Sequence, residues 1–362
     1  MESLVSDAIT QACAQAEVDG RPLQGHEADW DGVLSRCAYA PVSHTRHMIV
    51  YQQSYVVQAG VACIDASLVI FQAGQPVGVW PLCLRRRGEK WEIGSNEGGV
   101  LPPLFISGLG ARLEKSLAGK MVEIARNISR CLGINEWFAT ESFMGCTGLG
   151  SWHTELMEHG ASCAVSHELY LSLAPELAQI KSGLRKSYKA LLTQAAGLWS
   201  AEVLRGVCVK EFDEFRDLHR QVAGRSTRAD ATWQEQMRAL QDHAAFMVIL
   251  RNAEQRMVGC GFFAVSPHEA LYAVGVYDRS LFDRPVGHLV QWRAIEEMKN
   301  LGLKWYKLGA RPYPGDRPAP ADKDLSIALF KQGFASDVLP RYEFACKVSD
   351  VPSPILDSAE SA

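Results

Sequence analysis

Three clusters in this chain have the residue types and spacing that chemistry at a phosphate, a carbonyl or an amine requires. Lys181, Arg185, Lys186 and Lys189 follow one another at four, one and three positions, with Leu184, Tyr188, Leu191 and Leu192 interleaved. On a helix that spacing sets the charges along one flank and the apolar residues along another. Fixed positive charge suits a phosphate or an RNA backbone, which makes Lys186 and Tyr188 candidate substrate contacts. A solvated helix face has the same appearance. The second cluster is Ala223-Gly224-Arg225-Ser226-Thr227-Arg228, followed by Trp233. A hydroxyl there would cap the next helix in any protein. Capping explains neither guanidinium, and Arg225, Thr227, Arg228 and Trp233 are read as contacts to an anionic acceptor.

The third cluster, Asp283-Arg284-Pro285-Val286-Gly287-His288-Leu289, is a glycine turn leading into a helix. A helix start exposes N–H groups and a positive dipole end that suit a pyrophosphate. Pro285 fits the first turn of any helix, so the segment reads equally well as plain structure. His288 is a candidate general base because imidazole titrates near neutral pH. Tyr272, Tyr277 and Asp278 lie on or just after a strand past which a substrate would run, although tyrosines there also serve sheet packing. The sequence contains no G-x-S-x-G, P-loop or H-E-x-x-H pattern, and no metal is implied.

The elements that must position these residues follow from periodicity. Residues 44–60 read as a helix, Leu68 to Phe71 and the segment from Val77 as strands, and Leu113, Leu117, Met121, Ile124 and Ile128 as one face of a helix closed by Gly133. Ile134 to Ala139 follows as a strand. The order returns later: strands at Phe246–Leu250, Val258 onward and Glu269–Tyr277, a helix with Leu289, Trp292, Ile295 and Met298 on one face, Gly302, and a strand at Leu303–Leu308. Between the two units, His167–Leu173 reads as a strand and Pro175–Ala196 as one helix.

At 362 residues the chain exceeds the usual size of a single core, and with 47% hydrophobic and 22% charged residues it can build two. A formal charge of -4 excludes general coating of DNA by electrostatics. The ten cysteines are scattered without C-x-x-C and read as reduced thiols. Neither a secretory leader nor an apolar run of the ~18 residues a membrane span needs is visible, so the expected location is cytoplasmic.

Leu184-Arg185-Lys186-Ser187-Tyr188-Lys189, the Ala223–Arg228 loop with Thr232-Trp233, Gly287-His288-Leu289 with its helix, and Phe330-Lys331-Gln332-Gly333-Phe334 occur in an order and at distances that resemble the FemAB-like branch of the GNAT N-acyltransferase superfamily. The first half resembles it more loosely, through Asp65-Ala66-Ser67, Val77-Gly78 and Trp80-Pro81-Leu82. The resemblance implies an α/β fold of mixed sheets in two GNAT-like lobes packed side by side. The expected division is a helical extension over 1–26, a first lobe over 27–165, a second lobe with the transfer site over 166–346, and a disordered tail over 347–362. It further implies an acyl or aminoacyl group passed from acyl-CoA, an acyl carrier protein or a charged tRNA to a primary amine of a cell-envelope sugar or peptide precursor, small or lipid-linked, with no tightly bound cofactor. Lys331 enters as a substrate contact, Val274 and Val276 as strand positions beside the oxyanion, and Arg284 and Gly287 as the remnant of the pyrophosphate loop. The glycine expected after Gly287 is replaced by Leu289. A catalytically silent binding module with the same lobes is the competing reading.

Overall fold

The structure, a computed structural model, describes residues 2–96, 98–206 and 209–348. In the first half, α1 (Glu2–Gln15), β1 (Asp19–Pro22), α2 (Glu27–Arg36) and α3 (Arg46–Gln58) precede β2 (Ala62–Asp65), β3 (Leu68–Gln72), β4 (Gln75–Trp80), β5 (Cys83–Arg87), β6 (Lys90–Gly94) and β7 (Leu104–Phe105). Then come α4 (Ala111–Cys131), β8 (Glu136–Glu141) and α5 (Ser151–Glu158). The second half starts with β9 (Ser162–Ser172), α6 (Leu177–Gly183), α7 (Lys186–Leu198) and β10 (Ser200–Arg205). It continues with α8 (Val209–Ala223), α9 (Asp230–Gln241), β11 (Ala245–Arg251), β12 (Met257–Val265) and β13 (Glu269–Tyr277), and ends with α10 (Val286–Asn300), β14 (Trp305–Ala310), α11 (Asp322–Gln332) and β15 (Asp337–Lys347). Of the expected tail over 347–362, Lys347 belongs to β15 and Val348 is buried with its N–H on the Asn135 carbonyl, while residues 349–362, like Cys208, lie outside the described residues; the nine described cysteines form no disulfide with one another.

Local rules account for the repeated plan. The apolar stripe of α4 and that of α10 are buried, and each helix is followed by a left-handed glycine, Gly133 at φ 67° and Gly302 at φ 72°. Ala73 and Gly74, both at positive φ, turn β3 into β4 in the way a two-residue hairpin requires.

The expected single helix over 175–196 is two helices. Leu184 (ψ 155°) and Arg185 (ψ 132°) are extended between α6 and α7, and the Arg185 N–H bonds the Gly333 carbonyl. A tertiary hydrogen bond and the burial of Leu184 override a continuous helical pattern. Lys181 therefore belongs to a different helix from Lys186 and Lys189, and the four charges do not share one flank.

Eight strands form one sheet in the order β10-β11-β12-β13-β14-β9-β15-β8. Residue 166 falls inside β9, and β15 lies between β9 and β8, so the sheet runs without a break from one half of the chain to the other. Phe344 and Cys346 of β15 are buried with Trp137 and the stripe of α4, and α1 lays Val5, Ala8 and Ala12 into the same core. In the second half, α7 and α10 cover one face of the sheet, and α8 and α9 the other. The segment 39–42 joins the halves: the Tyr39 hydroxyl and the Val42 N–H both donate to Glu269, at 2.6 and 3.0 Å.

Candidate functional site

The parting of two parallel strands builds the site. β13 pairs with β14 only from Glu269↔Trp305 to Leu271↔Lys307, and beyond Leu271 that edge of β13 has no ladder partner in β14. Its other edge stays paired with β12 as far as Tyr277, with one irregularity: Tyr272 faces Phe263 and Val274 faces Phe262, leaving Ala273 as an extra residue. An extra residue shifts the alternation by one. Tyr272 and Tyr277, five positions apart, therefore share a face, and their hydroxyls are hydrogen bonded at 2.7 Å. Gly275 lies directly beneath: a Cβ there would sit 1.7 Å from the Tyr272 hydroxyl. Burial raises the Tyr272 phenol to about 12 and that of Tyr277 well above the ordinary range, so both keep their protons at neutral pH. The buried Gln291 of α10 accepts a hydrogen bond from Tyr306, while its amide nitrogen has no hydrogen-bond partner.

At the mouth of the parting, α11 supplies Lys331. Its ammonium is 5.3 Å from the centre of the Tyr272 ring and 3.1 Å from where a Cβ of Gly309 would be. Among the described residues it makes no ion pair, and burial pulls its pKa below the ordinary lysine value. His288 stands beside it in a cage of rings, with centroid distances of 4.5 Å to Tyr188, 5.1 Å to Phe330 and 6.1 Å to Phe334. Burial, with Arg185 adding a smaller push, lowers His288 to about 4. So weak a base is poorly matched to proton abstraction at neutral pH, which counts against the general-base reading. Gly287 fits under the Phe330 and Tyr277 rings, and Arg284 is exposed beside it. Tyr188 is itself packed: its hydroxyl donates to the Phe330 carbonyl at 2.9 Å, so it holds the cage together rather than offering a free contact. Arg185 ties the same corner through the Leu329 carbonyl at 2.8 Å, and Lys186 is exposed at the start of α7.

The arginine loop belongs to the opposite face. Trp233 is buried among Phe212, Phe215 and the side chains of Val274 and Val276. The Arg228 guanidinium stacks 4.9 Å over Trp233 and reaches Gln236, while Arg225 is exposed. Gln58 of α3 bonds the Thr227 carbonyl, so this loop lines the seam between the halves and does not meet Lys331 or His288. The valine side chains are core; what Val274 and Val276 contribute to the parting is backbone. Asp278 accepts from the N–H and hydroxyl of Ser280 and pairs with Arg256 at 2.8 Å, bonds that lower its pKa and fix a turn. That occupied carboxylate is a poor candidate for catalysis.

Sequence reasoning passed over Ala273, Gly275, Gln291 and Gly309. The available signal was two tyrosines at an odd separation with a glycine between them. The first half provides a comparison, since β6, α4 and β8 repeat the order of β13, α10 and β14. There the gap is closed by the chain itself: the Val100 N–H donates to Phe138 and the Val100 carbonyl accepts from Thr140, at 2.7 and 2.8 Å.

Residues 182–318 match the family model described as an acetyltransferase (GNAT) domain. No curated protein matches the chain. Among solved structures it is similar to FemX, with 9% identity, a TM-score of 0.66, and 88% of this chain and 95% of that one covered. It is similar also to the C-terminal domain of a putative lysylphosphatidylglycerol synthetase from Agrobacterium fabrum, at 13% identity and TM-score 0.55, covering 89% and 92%. A tandem GNAT protein from the clavulanic acid biosynthesis pathway aligns at 14% identity and TM-score 0.51 over 93% and 99%. No helix among the described residues is long and apolar enough to cross a membrane. Residues 182–318 thus form a GNAT acyltransferase domain, carried in a molecule whose overall fold is similar to those of FemX and of a tandem GNAT protein.

Proposed function

We propose that the second lobe moves an acyl or aminoacyl group from a thioester or aminoacyl ester to a primary amine of a cell-envelope sugar or peptide precursor, and that the transfer takes place where β13 leaves β14. The observation that carries this reading is the contrast between the lobes: the gap is open along β13 after Leu271 and is filled by Val100, bridged to β8, in the first lobe. A neutral amine attacks the carbonyl carbon, a tetrahedral oxyanion forms, and its collapse breaks the bond to the carrier's sulfur or oxygen, which leaves as the thiol or hydroxyl by taking up the proton that the amine nitrogen loses as the amide forms. The unladdered backbone of β13 and the Lys331 ammonium lie where that negative charge develops. The protonated Tyr272–Tyr277 pair uses one O–H between its own hydroxyls and keeps the other to donate there without giving up its charge state.

The donor is a phosphate-bearing carrier in either form, acyl-CoA or acyl carrier protein on one side and charged tRNA on the other. Arg185 and Tyr188 abut Phe330 and His288, which puts the exposed Lys186 and Lys189 next to the mouth of the gap and favours the tRNA form. The name of the similar lysylphosphatidylglycerol synthetase supports an aminoacyl group and a lipid-linked acceptor.

Lys331→Met tests the assignment. Because Lys331 has no carboxylate partner, its loss strands no buried charge, and the thermal midpoint stays put. Turnover with whichever donor the wild type uses falls by about 100-fold or more, as expected when an oxyanion donor is lost. Unchanged turnover would remove the site from the gap. Failure of wild-type protein to react with CoA thioesters, acyl carrier protein or charged tRNA would instead favour the silent binding module.

A further inference from the structure

The first lobe has a groove that the transfer reaction does not use. Opposite partners in the ladders put Glu136, Phe138 and Thr140 of β8, Arg341, Glu343 and Ala345 of β15, and Ser162 and Ala164 of β9 on one sheet face. Their neighbours Trp137, Ala139 and Phe344 point the other way, into the core. The β5–β6 hairpin stands over this face with Arg85 and Glu92, which are themselves paired across the hairpin. The groove, open to solvent on one side, has a volume of about 720 Å³, within the range of small-molecule sites. Gly98 and Gly99 close one end, and a Cβ on Gly99 would come within 2.9 Å of the Phe138 carbonyl.

We propose that this groove binds a neutral, hydroxyl-rich sugar ring, as a site separate from the transfer gap. Phe138 is 55% exposed on the groove floor between two residues that are almost wholly buried, and it offers a flat apolar platform for the C–H face of a ring. Three carboxylates against two guanidiniums leave no net positive charge, which disfavours a phosphate. Arg85 donates from Nη2 to the Gly98 carbonyl at 3.2 Å and Arg341 Nη1 stands 3.9 Å from Glu168, yet each guanidinium keeps an unused donor. Arg85 Nε is 3.6 Å from Glu92, Arg341 Nε is 3.7 Å from Glu343, and neither Nε makes a hydrogen bond. A sugar hydroxyl accepts from a guanidinium and donates to a neighbouring carboxylate at once, which would satisfy the Nε donors left without a hydrogen bond. Four strand spacings separate β8 from β13, roughly 19 Å, so a ring stacked on Phe138 lies outside the transfer gap.

Binding is measured without donor, so it stands or falls separately from the transfer reading. The full chain is titrated with chitotriose and with cellotetraose by saturation-transfer NMR and calorimetry, with inorganic pyrophosphate as the anionic comparison. At least one oligosaccharide binds at about 10 mM or below, and Phe138→Ala weakens it by about tenfold or more. The exposure of Phe138 lets that variant keep its fold, checked by its melting curve. Arg341→Gln, which keeps a donor while removing the charge, weakens sugar binding less than Phe138→Ala. The inference is overturned if neither sugar binds at that concentration, if Phe138→Ala binds as the wild type does, or if pyrophosphate alone binds.

Discussion

At the scale of single residues, His288 shows how neighbours change what a side chain can do. In sequence it is an imidazole at the start of a helix beside a glycine, a reasonable base. In the fold it is enclosed by Tyr188, Phe330 and Phe334 and lowered to about 4, with His44 lowered as far by complete burial. His288→Phe keeps the ring and removes the base. Its turnover at neutral pH stays within about tenfold of wild type, well short of the loss a general base produces. The wild-type profile of rate against pH shows no limb near the ordinary histidine value that the variant lacks; finding such a limb would restore His288 as the base. The sign for stability follows from the same depression. The folded chain binds fewer protons than the unfolded one between about 6.5 and about 4, so His44 and His288 contribute stability that is complete above that window and is lost as pH falls through it. Lys331 was legible in the sequence only through its place in Phe330–Phe334, because an isolated lysine carries no sign of its own burial.

At the scale of elements, regular periodicity was readable and irregularity was not. The stripes of α4 and α10 and the glycines that close them are local features, and both helices lie where their patterns put them. The break at Leu184–Arg185 depends on Gly333, about 150 residues away, and the extra residue at Ala273 depends on register with β12; neither distance nor register is written in a local window. The displaced register has a measurable consequence at Gly275. Gly275→Ala forces its Cβ against the Tyr272 hydroxyl and ring, costing about 1–3 kcal/mol in urea denaturation. Combined with Tyr272→Ala, the clash has no partner. The double variant is then more stable than the sum of the two single losses predicts, a coupling that contacting side chains show and distant ones do not. Simple additivity would mean that the tyrosine does not rest on this glycine.

At the scale of the molecule, the two lobes share more than a seam. The last described strand crosses from the second lobe's side of the sheet to the first lobe's outer strand: Asp337↔Tyr170 lies at one end of β15 and Lys347↔Glu136 at the other. Phe344, 1% exposed, thereby completes a core to which α1, α4, α5, β8 and strands β3 to β6 of the first half also contribute. The two lobes packed side by side that the resemblance implies carry no sign of this exchange, because pairing between residues some 200 positions apart leaves no local pattern. The first lobe's core is therefore complete only with the chain beyond residue 337 in place. Phe344→Ala removes a large side chain from this shared core and costs about 3–5 kcal/mol. If the core is common property, hydrogen exchange speeds up in α4, more than 200 residues earlier in the chain, along with β8 and β15. Faster exchange confined to residues 337–348, with α4 as protected as before, would show instead that β15 is an accessory strand laid over two independently stable lobes.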